Sequence, residues 1–465
     1  MLDLLLINSF WGFNKKNIWK EISGTLPPLG LASIAALVKE KDYSVKIIDT
    51  QAEKLSLDGL IDFLKGISQP RFVGISATTL SINNAYKISS VMKKVFPNTK
   101  VVFGGHHPTA LSDEVINKNE IDIVVRGEGE ITMEELLKGS PLNEIDGIVY
   151  KDKNGKIIFN KERKFIEDIN ILPIPAYDLL PMDKYCPSAG SYKRLPAVSM
   201  IVSRGCPGKC AFCYRIFGQK ARIKSAKNIY KEIKYLQDNF GIKEVNFYDD
   251  TFTTFKENVA NLCQIIIQGK ADITWSCFSR IGFVDYNLLK LMKRAGCHQI
   301  MYGIESADEE ILKNIKKEIS LELAKKSIFL TKKAGINCRG ALMFGSPGET
   351  EETIKKTIDF AIKSNLDFAS FNIVTPYPGT EIFNWAKENH FLKIFNWDLY
   401  DEATPLIELS SIGSRKLTEL YHLAYKKFYL RPGYILKQIL KMRSFSDLKY
   451  LLKGFFSLVN FLFAK

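Results

Sequence analysis

From residue 1 to about 138 the chain alternates short, continuous apolar runs with longer stretches in which apolar positions return every three or four residues. Leu4 to Ile7, Val45 to Asp49, Phe72 to Ser76, Val101 to Phe103 and Ile121 to Val125 have the first pattern; Gly30 to Glu40, Leu57 to Gly66, Ile82 to Phe96 and Glu130 to Lys138 have the second. Continuous apolar runs suit strands covered on both faces, and the helical period suits the elements that cover them. The fold class expected for 1–140 is therefore α/β, a doubly wound parallel sheet of the Rossmann or flavodoxin-like kind.

The rhythm then breaks. In 141–195, Gly147 to Tyr150 and Ile157 to Asn160 flank Lys151-Asp152-Lys153-Asn154-Gly155, a hairpin signal, and Leu172-Pro173-Ile174-Pro175 with Leu180-Pro181 reads as a stiff linker. From Val198 a second α/β series begins, with strand candidates Val198 to Ser203, Glu244 to Tyr248, Ile273 to Phe278, Gln299 to Gly303, Cys338 to Phe344 and Ala369 to Thr375. Six such units fall short of a closed eight-stranded barrel, so 196–390 is expected to form a partial (β/α)6 barrel, open on one side. The remaining 391–465 reads as a helical C-terminal region broken at Arg431-Pro432-Gly433. Tyr434, Ile435, Leu436, Ile439 and Leu440, then Leu451, Leu452, Phe455 and Phe456, form its apolar faces.

Polar and glycine-rich residues gather at the carboxyl ends of the strand candidates, where such folds bind ligands. Ser203-Arg204-Gly205-Cys206-Pro207-Gly208-Lys209-Cys210-Ala211-Phe212-Cys213-Tyr214 holds three of the eight cysteines, spaced C-x3-C-x2-C on a loop that glycine and proline can fold tightly. A closed zinc site wants four ligands and this loop offers three, so an iron–sulfur cluster with one iron left for a non-protein ligand fits better. A zinc knuckle completed by Cys297 or His298, and three buried structural thiols, are the competing readings. Later strands end in Asp249-Asp250-Thr251-Phe252, Ser279-Arg280, Glu305-Ser306 and Gly345-Ser346-Pro347-Gly348-Glu349-Thr350. In the first half the strand ends carry Asn8-Ser9-Phe10, Ser76-Ala77-Thr78-Thr79, Gly104-Gly105-His106-His107 and Arg126-Gly127-Glu128-Gly129-Glu130. Small loops of this kind let backbone approach a flat or phosphate-bearing ligand. Cys263, Cys277, Cys297 and Cys338 sit in apolar contexts and read as core thiols, and Cys186 as a lone thiol.

The cysteine loop, with Phe212 before its third cysteine and Tyr214 after it, resembles the cluster-binding loop of the radical S-adenosylmethionine (SAM) enzymes. The resemblance implies a [4Fe-4S] cluster on Cys206, Cys210 and Cys213, whose free iron is chelated by the amino and carboxylate groups of SAM. It places Tyr214, Asp249, Asp250, Arg280, Glu305 and Gly345 around that ligand. Ser76-Ala77-Thr78, Gly104-Gly105 and the Arg126–Glu130 stretch resemble the cobalamin-binding domains that precede many radical SAM domains. This implies cobalamin contacts from Ser9, Ser76, Thr78, Gly104, Gly105, His107 and Glu128. The loop after the first strand, Asn8-Ser9-Phe10-Trp11-Gly12, lacks the histidine that supplies a lower axial ligand in other cobalamin modules, so base-off binding is expected.

Such a protein cleaves SAM to a 5′-deoxyadenosyl radical, removes hydrogen from an unactivated carbon and transfers a methyl group from methylcobalamin. The layout is also similar to that of the anaerobic magnesium-protoporphyrin ester cyclase, so an oxidative cyclase or ring-rearranging enzyme is the second reading. A non-catalytic corrinoid- or metal-binding sensor is the third. No cysteine precedes Cys186, which disfavours a methylthiolase with a second cluster.

Charge refines the list of partners. Of the +14 net charge, nine positive charges lie from Arg415 onward, where eleven Lys or Arg face only Glu419 and Asp447. No basic stripe interleaved with aromatics runs through the body, so no nucleic acid is expected. The basic amphipathic tail allows peripheral contact with a membrane, although packing on the barrel is preferred. Met1 to Ile7 lacks a basic leader and apolar runs stop short of the ~18 residues that span a bilayer, so a cytoplasmic enzyme is expected. Its partners would be a small-molecule, tetrapyrrole or lipid substrate and an external electron donor of flavodoxin or ferredoxin type.

Overall fold

The computed structural model describes residues 2–11, 23–188, 190–392 and 395–441. In the first sheet, β1 (Leu2–Asn8), β2 (Val45–Asp49), β3 (Pro70–Ser76), β4 (Lys100–Gly104), β5 (Ile123–Val125), β6 (Ile148–Lys151) and β7 (Ile157–Phe159) lie in the order β2-β1-β3-β4-β5-β6-β7. The first five run parallel. Strand β1 shows why its run is apolar throughout. Leu4 and Leu6 face the core under helices Leu29–Glu40 and Glu130–Lys138, while Leu5 and Ile7 face the core under helices Leu57–Leu64 and Ile82–Val95. The strand order reverses between β2 and β3, which makes the end of β1 the switch point of a doubly wound sheet.

The hairpin expected inside the connector belongs instead to this sheet. Strand β6 pairs antiparallel with β5, and β7 with β6. Strand β5 has only three residues and an edge to cover, and the hairpin covers it while Val149 enters one core and Ile148 and Tyr150 the other. The proline-punctuated segment is likewise no free spacer: Leu172, Ala176, Tyr177 and Leu180 are buried, and Tyr177 Oη donates to Glu232 at 2.9 Å.

The second sheet is the partial barrel. Strands β8 (Ala197–Met200), β11 (Glu244–Phe247), β12 (Thr274–Ser279), β13 (Cys297–Glu305), β14 (Asn337–Phe344) and β15 (Phe368–Ile373) pair in sequence order, all parallel; β9 (Ser203–Arg204) and β10 (Arg222–Ile223) form a separate antiparallel ribbon. Register layers the interior. Ser199, Asn246, Ser276, Gln299 and Asn337 align across five strands as a polar row. Two residues further on, Phe278, Met301, Arg339 and Phe368 align, with the Tyr248 ring 4.9 Å from that of Phe278. Intervening residues such as Met200, Phe247, Cys277, Ile300 and Cys338 pack into the core instead. The chain before β8 seals the lower end: Asn246 Nδ2 donates to the Ser191 carbonyl at 2.8 Å, Gln299 Nε2 donates to the Gly190 carbonyl at 3.0 Å, and the Glu244 carboxylate accepts from the Lys193 and Arg194 N–H groups.

The first helix of the C-terminal region packs on the barrel, whereas Ile435, Leu436, Ile439 and Leu440, expected on a packed apolar face, are exposed because the helix that carries them is held only along its Tyr434 and Lys437 side. Helix Ser414–Tyr429 buries Leu417, Leu420, Tyr421, Ala424, Tyr425 and Phe428. Its tyrosines close the free edge of β15. Tyr425 Oη accepts from the Phe371 N–H at 3.3 Å and donates to the Phe371 carbonyl at 2.9 Å; Tyr429 Oη does the same at Ala369, at 3.1 and 2.6 Å. The chain breaks at Arg431 and resumes as helix Pro432–Lys441. Leu451, Leu452, Phe455 and Phe456 lie outside the described residues. Cys263, Cys277, Cys297 and Cys338 are buried core thiols.

Each hydroxyl serves two buried peptide groups, so Tyr425→Phe should destabilise the fold by about 1–3 kcal/mol, and Tyr429→Phe similarly. Urea titration of both variants checks this; midpoints equal to the parent's would show that the hydroxyls do not hold the edge.

Candidate active site

The ribbon β9–β10 brackets the loop 205–221 that carries the three thiols. Gly205 has φ +85°, and a Cβ there would fall 2.5 Å from the Lys220 carbonyl oxygen, so the loop's entry requires glycine. Cys206 N–H donates to the Gly218 carbonyl at 3.2 Å, Cys213 N–H to the Cys210 carbonyl at 3.2 Å, and Arg215 Nη1 to the Gly208 carbonyl at 2.8 Å. Two further bonds stitch the loop to the barrel: Ala211 N–H to Ile315 O at 2.9 Å, and Ile382 N–H to Ala211 O at 3.0 Å.

All three thiols are free. Burial, then the neighbouring Asp250 and the other two cysteines, push the Cys213 thiol up to about 12, and burial raises Cys210 as well. Crowded, half-buried thiols of this kind hold their protons until a cation replaces them. Among the described residues no three His, Cys, Asp or Glu side chains are grouped tightly enough to hold a single metal ion. Convergence on one point is not needed for a four-iron cluster, in which each thiolate takes a different iron. The zinc alternatives lose their fourth ligand: His298 Nε2 lies 2.7 Å from Glu244 at the sealed end of the barrel, and Cys297 is buried in the core. The donor set fits a [4Fe-4S] cluster.

Around this loop the expected SAM residues divide into two kinds. Asp249 is 1% exposed, and its Oδ1 accepts from the Val202 N–H, the Ser203 N–H and Ser203 Oγ, which fastens the chain entering the loop. Its Oδ2 is buried with no partner among the described residues, and burial pushes the carboxyl up to about 7. Asp250 is exposed and faces Cys213. Arg280 reaches over the loop: its Nη2 donates to the Lys317 carbonyl at 2.7 Å, and a Cβ on Gly208 would meet its Nη1 at 2.5 Å. Glu305 has φ +67° at the register shift between β13 and β14, and its Oε1 lies 2.8 Å from Lys317 Nζ, both side chains about nine-tenths buried. Lys317 Nζ also stands 5.8 Å from the centre of the Phe212 ring. Lys317 escaped the sequence reading because a Lys-Lys pair beyond a short helix looks like solvated charge.

Tyr214 packs on Gly379, where a Cβ would meet the ring at 2.5 Å. Gly345, φ +90°, lies against Leu417. Thr350 caps helix Glu351–Lys363 by accepting from the Thr353 N–H. Glu349 is buried, accepts from Thr353 Oγ1 at 2.8 Å and from the Ser346 N–H at 3.3 Å, and is raised by burial to about 7.

On the other side, the ends of the first sheet's parallel strands line a cavity of about 330 Å³, with Asn8, Ser76, Thr78, Gly104 and Gly105 on its wall. A Cβ on Gly105, φ +102°, would fall 2.7 Å from the Ala77 carbonyl oxygen. Ser9 sits behind that wall, its Oγ 3.0 Å from the Ser76 carbonyl and 2.8 Å from Ser81 Oγ. His107 is placed differently from the expectation. It is fully buried between Thr79 at 3.3 Å and Glu114 at 3.6 Å, edge-on to Trp397, and it is His106 that lines the cavity, where desolvation lowers its pKa. Glu128 lines the cavity, but both oxygens are occupied: Arg222 Nη1 at 2.9 Å, Arg204 Nη1 at 3.0 Å and the Ile166 N–H at 2.7 Å. Glu130 binds Arg204 and Ser33. The opposite wall of the cavity is formed by Ile201, Ile216 and Phe217, the last two on the cysteine loop itself.

Residues 200–361 match the radical SAM superfamily and residues 16–137 the B12-binding domain. An uncharacterised methyltransferase of Pyrococcus horikoshii is 38% identical over 434 residues, covering 92% of this chain and 93% of the relative. The chain belongs to the cobalamin-binding radical SAM proteins. The anaerobic magnesium-protoporphyrin IX monomethyl ester cyclase of Rubrivivax gelatinosus is 27% identical over 89% of this chain and 76% of its own length. The same fold occurs in the radical SAM methyltransferase TsrM of Kitasatospora setae, solved with cobalamin and a [4Fe-4S] cluster, at a TM-score of 0.71 and 14% identity over 99% of this chain and all of that one. This radical SAM protein is thus an enzyme whose cofactors are a [4Fe-4S] cluster, SAM and cobalamin.

Two consequences can be measured. Glu349 keeps in the folded protein a proton that the unfolded chain releases above 4.5, so its contribution to stability is full below that pH and is lost as pH rises towards about 7. Urea midpoints taken from pH 4.5 to 7.5 should fall less steeply in Glu349→Gln than in the parent. Lys317→Met leaves Glu305 buried and unpaired and should cost about 3–5 kcal/mol; a double variant with Glu305→Gln should recover most of the loss.

Proposed function

We propose that the chain is a cobalamin-dependent radical SAM methyltransferase that methylates an unactivated carbon of a small molecule or lipid held in the open barrel. The observation that carries this reading is the shared cavity: one wall is the ligand-binding edge of the first sheet, the other is the cysteine loop. Cys206, Cys210 and Cys213 hold the cluster. Asp250 and Arg280 offer a carboxylate and a guanidinium beside it for the zwitterionic end of SAM, while the Glu305–Lys317 pair and Tyr214 border the ribose and base. Asp249 is then a positioning residue that sets the loop.

Ser76, Thr78, Gly104 and Gly105 receive the corrinoid. A cavity near the lower end of ligand-pocket volumes takes the nucleotide end of cobalamin rather than the whole macrocycle, in keeping with base-off binding. When bound, the cluster supplies the electron that splits SAM and the corrinoid supplies the methyl group. The chain's own share is to hold these groups and the substrate at fixed separation and keep water out. Substrate lies over Tyr248, Phe278 and Met301, with Arg339, whose Nε is buried with no partner among the described residues, next to Met301 in that row. An electron donor of flavodoxin or ferredoxin type completes the system.

The likeness to the ester cyclase supports a second reading, oxidative ring formation with the same cofactors. The two differ in products. After anaerobic reconstitution with cobalamin, and incubation with SAM and dithionite, methylation yields S-adenosylhomocysteine alongside 5′-deoxyadenosine; deoxyadenosine alone would overturn the leading reading. Cys210→Ala should lose the four-iron electron paramagnetic resonance signal and deoxyadenosine formation. A Cβ at Gly104 would meet only Val125, at 3.9 Å, and the rest of a leucine would project into the cavity, so Gly104→Leu should fold, keep its cluster signal and lose the corrinoid absorbance.

A further inference from the structure

On the outside of the barrel, helices Leu321–Lys333 and Glu351–Lys363 flank a groove of about 840 Å³. Lys325, Lys332, Lys333, Lys356 and Lys363 line it against one acidic residue, Asp359. Lys332 is paired with Asp367 and Lys356 with Asp308, which leaves Lys325, Lys333 and Lys363 against Asp359, a surplus of two positive charges in the groove. Phe329, 63% exposed, stands among them. The site chemistry uses none of these residues.

Helix Pro432–Lys441 is fixed at one end of this groove. Lys437 Nζ donates to Asp367 Oδ1 at 3.1 Å and Tyr434 Oη to the Asp367 carbonyl at 3.1 Å, next to the groove residue Asn365. With its inner side held in this way, the helix turns Leu436, Ile439 and Leu440 outward, 58%, 44% and 76% exposed. Their spacing puts them on one face. An apolar ridge beside a basic groove is thus built into the described structure.

Charge selects the occupant. The chain continues for 24 residues, and residues 442–465 contain Arg443, Lys449, Lys453 and Lys465 against Asp447, together with five phenylalanines. That segment has the same sign as the groove, so it does not neutralise it. An acidic protein would answer the lysines and leave the leucine ridge in water. An anionic bilayer answers both: lysines meet headgroup phosphates while Leu436, Ile439 and Leu440 enter the acyl boundary. We propose that this face docks the enzyme on a membrane surface rich in anionic phospholipid. The inference rests on the outer face alone and stands apart from the reaction proposed above.

Co-sedimentation of the full chain with vesicles tests it. The protein should bind vesicles of phosphatidylglycerol and phosphatidylcholine, bind pure phosphatidylcholine much more weakly, and dissociate as salt is raised. Leu436→Glu/Leu440→Glu and, separately, Lys325→Glu/Lys363→Glu should each weaken binding by about tenfold or more, with circular dichroism and melting temperature unchanged. Equal binding to both vesicle types, or none, overturns the proposal and leaves the face to a protein or to the chain's own tail. Parent-like binding by both folded variants also overturns it, and would make residues 442–465 the sole anchor.

Discussion

Two arginines and two glutamates join the halves of this molecule. Arg204 and Arg222, on the ribbon that brackets the cysteine loop, meet Glu128, on the loop after β5, and Glu130, at the start of the helix that follows, and every one of the four side chains is at least nearly nine-tenths buried. Burial alone would raise the Glu130 carboxyl, yet the guanidinium of Arg204 holds it below the ordinary range. Such a cluster gains little net energy after desolvation but is severely penalised if one partner is removed, so its value lies in fixing one arrangement. Here the arrangement fixed is the face-to-face placement of the cysteine loop and the ligand edge of the first sheet. Phe217 and Phe165 add ring faces to the same arginines, at 5.4 and 5.0 Å.

This clamp also explains what could and could not be read along the chain. The alternation of apolar runs with helical periods carries the two sheets, and all six strands of the partial barrel lie within a few residues of where the pattern puts them. The cysteine spacing carries the candidate cluster site, because its three thiols lie on one loop. Glu128 was legible as a conspicuous residue on a glycine-rich loop but not as half of an ion cluster, since its partners lie 76 and 94 residues away. His106 and His107 are neighbours in the same short helix, and only packing against Trp397, some 290 residues later, decides which of them faces the cavity. Asp249 and Asp250 are likewise adjacent, and the direction in which β11 ends sends one inward to the loop's backbone and the other out towards the thiols. The hairpin β6–β7 was visible as a hairpin, but its membership of the sheet follows from the shortness of β5, a property of a different segment.

The barrel's interior shows the same division of labour. Two members of its polar row, Asn246 and Gln299, donate to backbone of the segment before β8, which ties that segment across the lower end. The next row is aromatic and sulfur-bearing, with the guanidinium of Arg339 set between Met301 and Phe368. At the upper end Glu305 adopts a left-handed conformation at a register shift and turns its carboxylate to Lys317. A residue held in that region costs of order 1–3 kcal/mol and persists because the buried ion pair and the tight approach of Gly303 leave it no alternative.

Stopping a barrel at six strands leaves a row of peptide groups along β15 that, in a bare sheet, would template the strand of another molecule. The i, i+4 spacing of Tyr425 and Tyr429 matches the two-residue step between Ala369 and Phe371 closely enough for two phenol groups to replace the missing neighbour. The helix thus acts as a surrogate strand made of side chains, and it lets the protein keep an incomplete wall without inviting edge-on addition of a second copy.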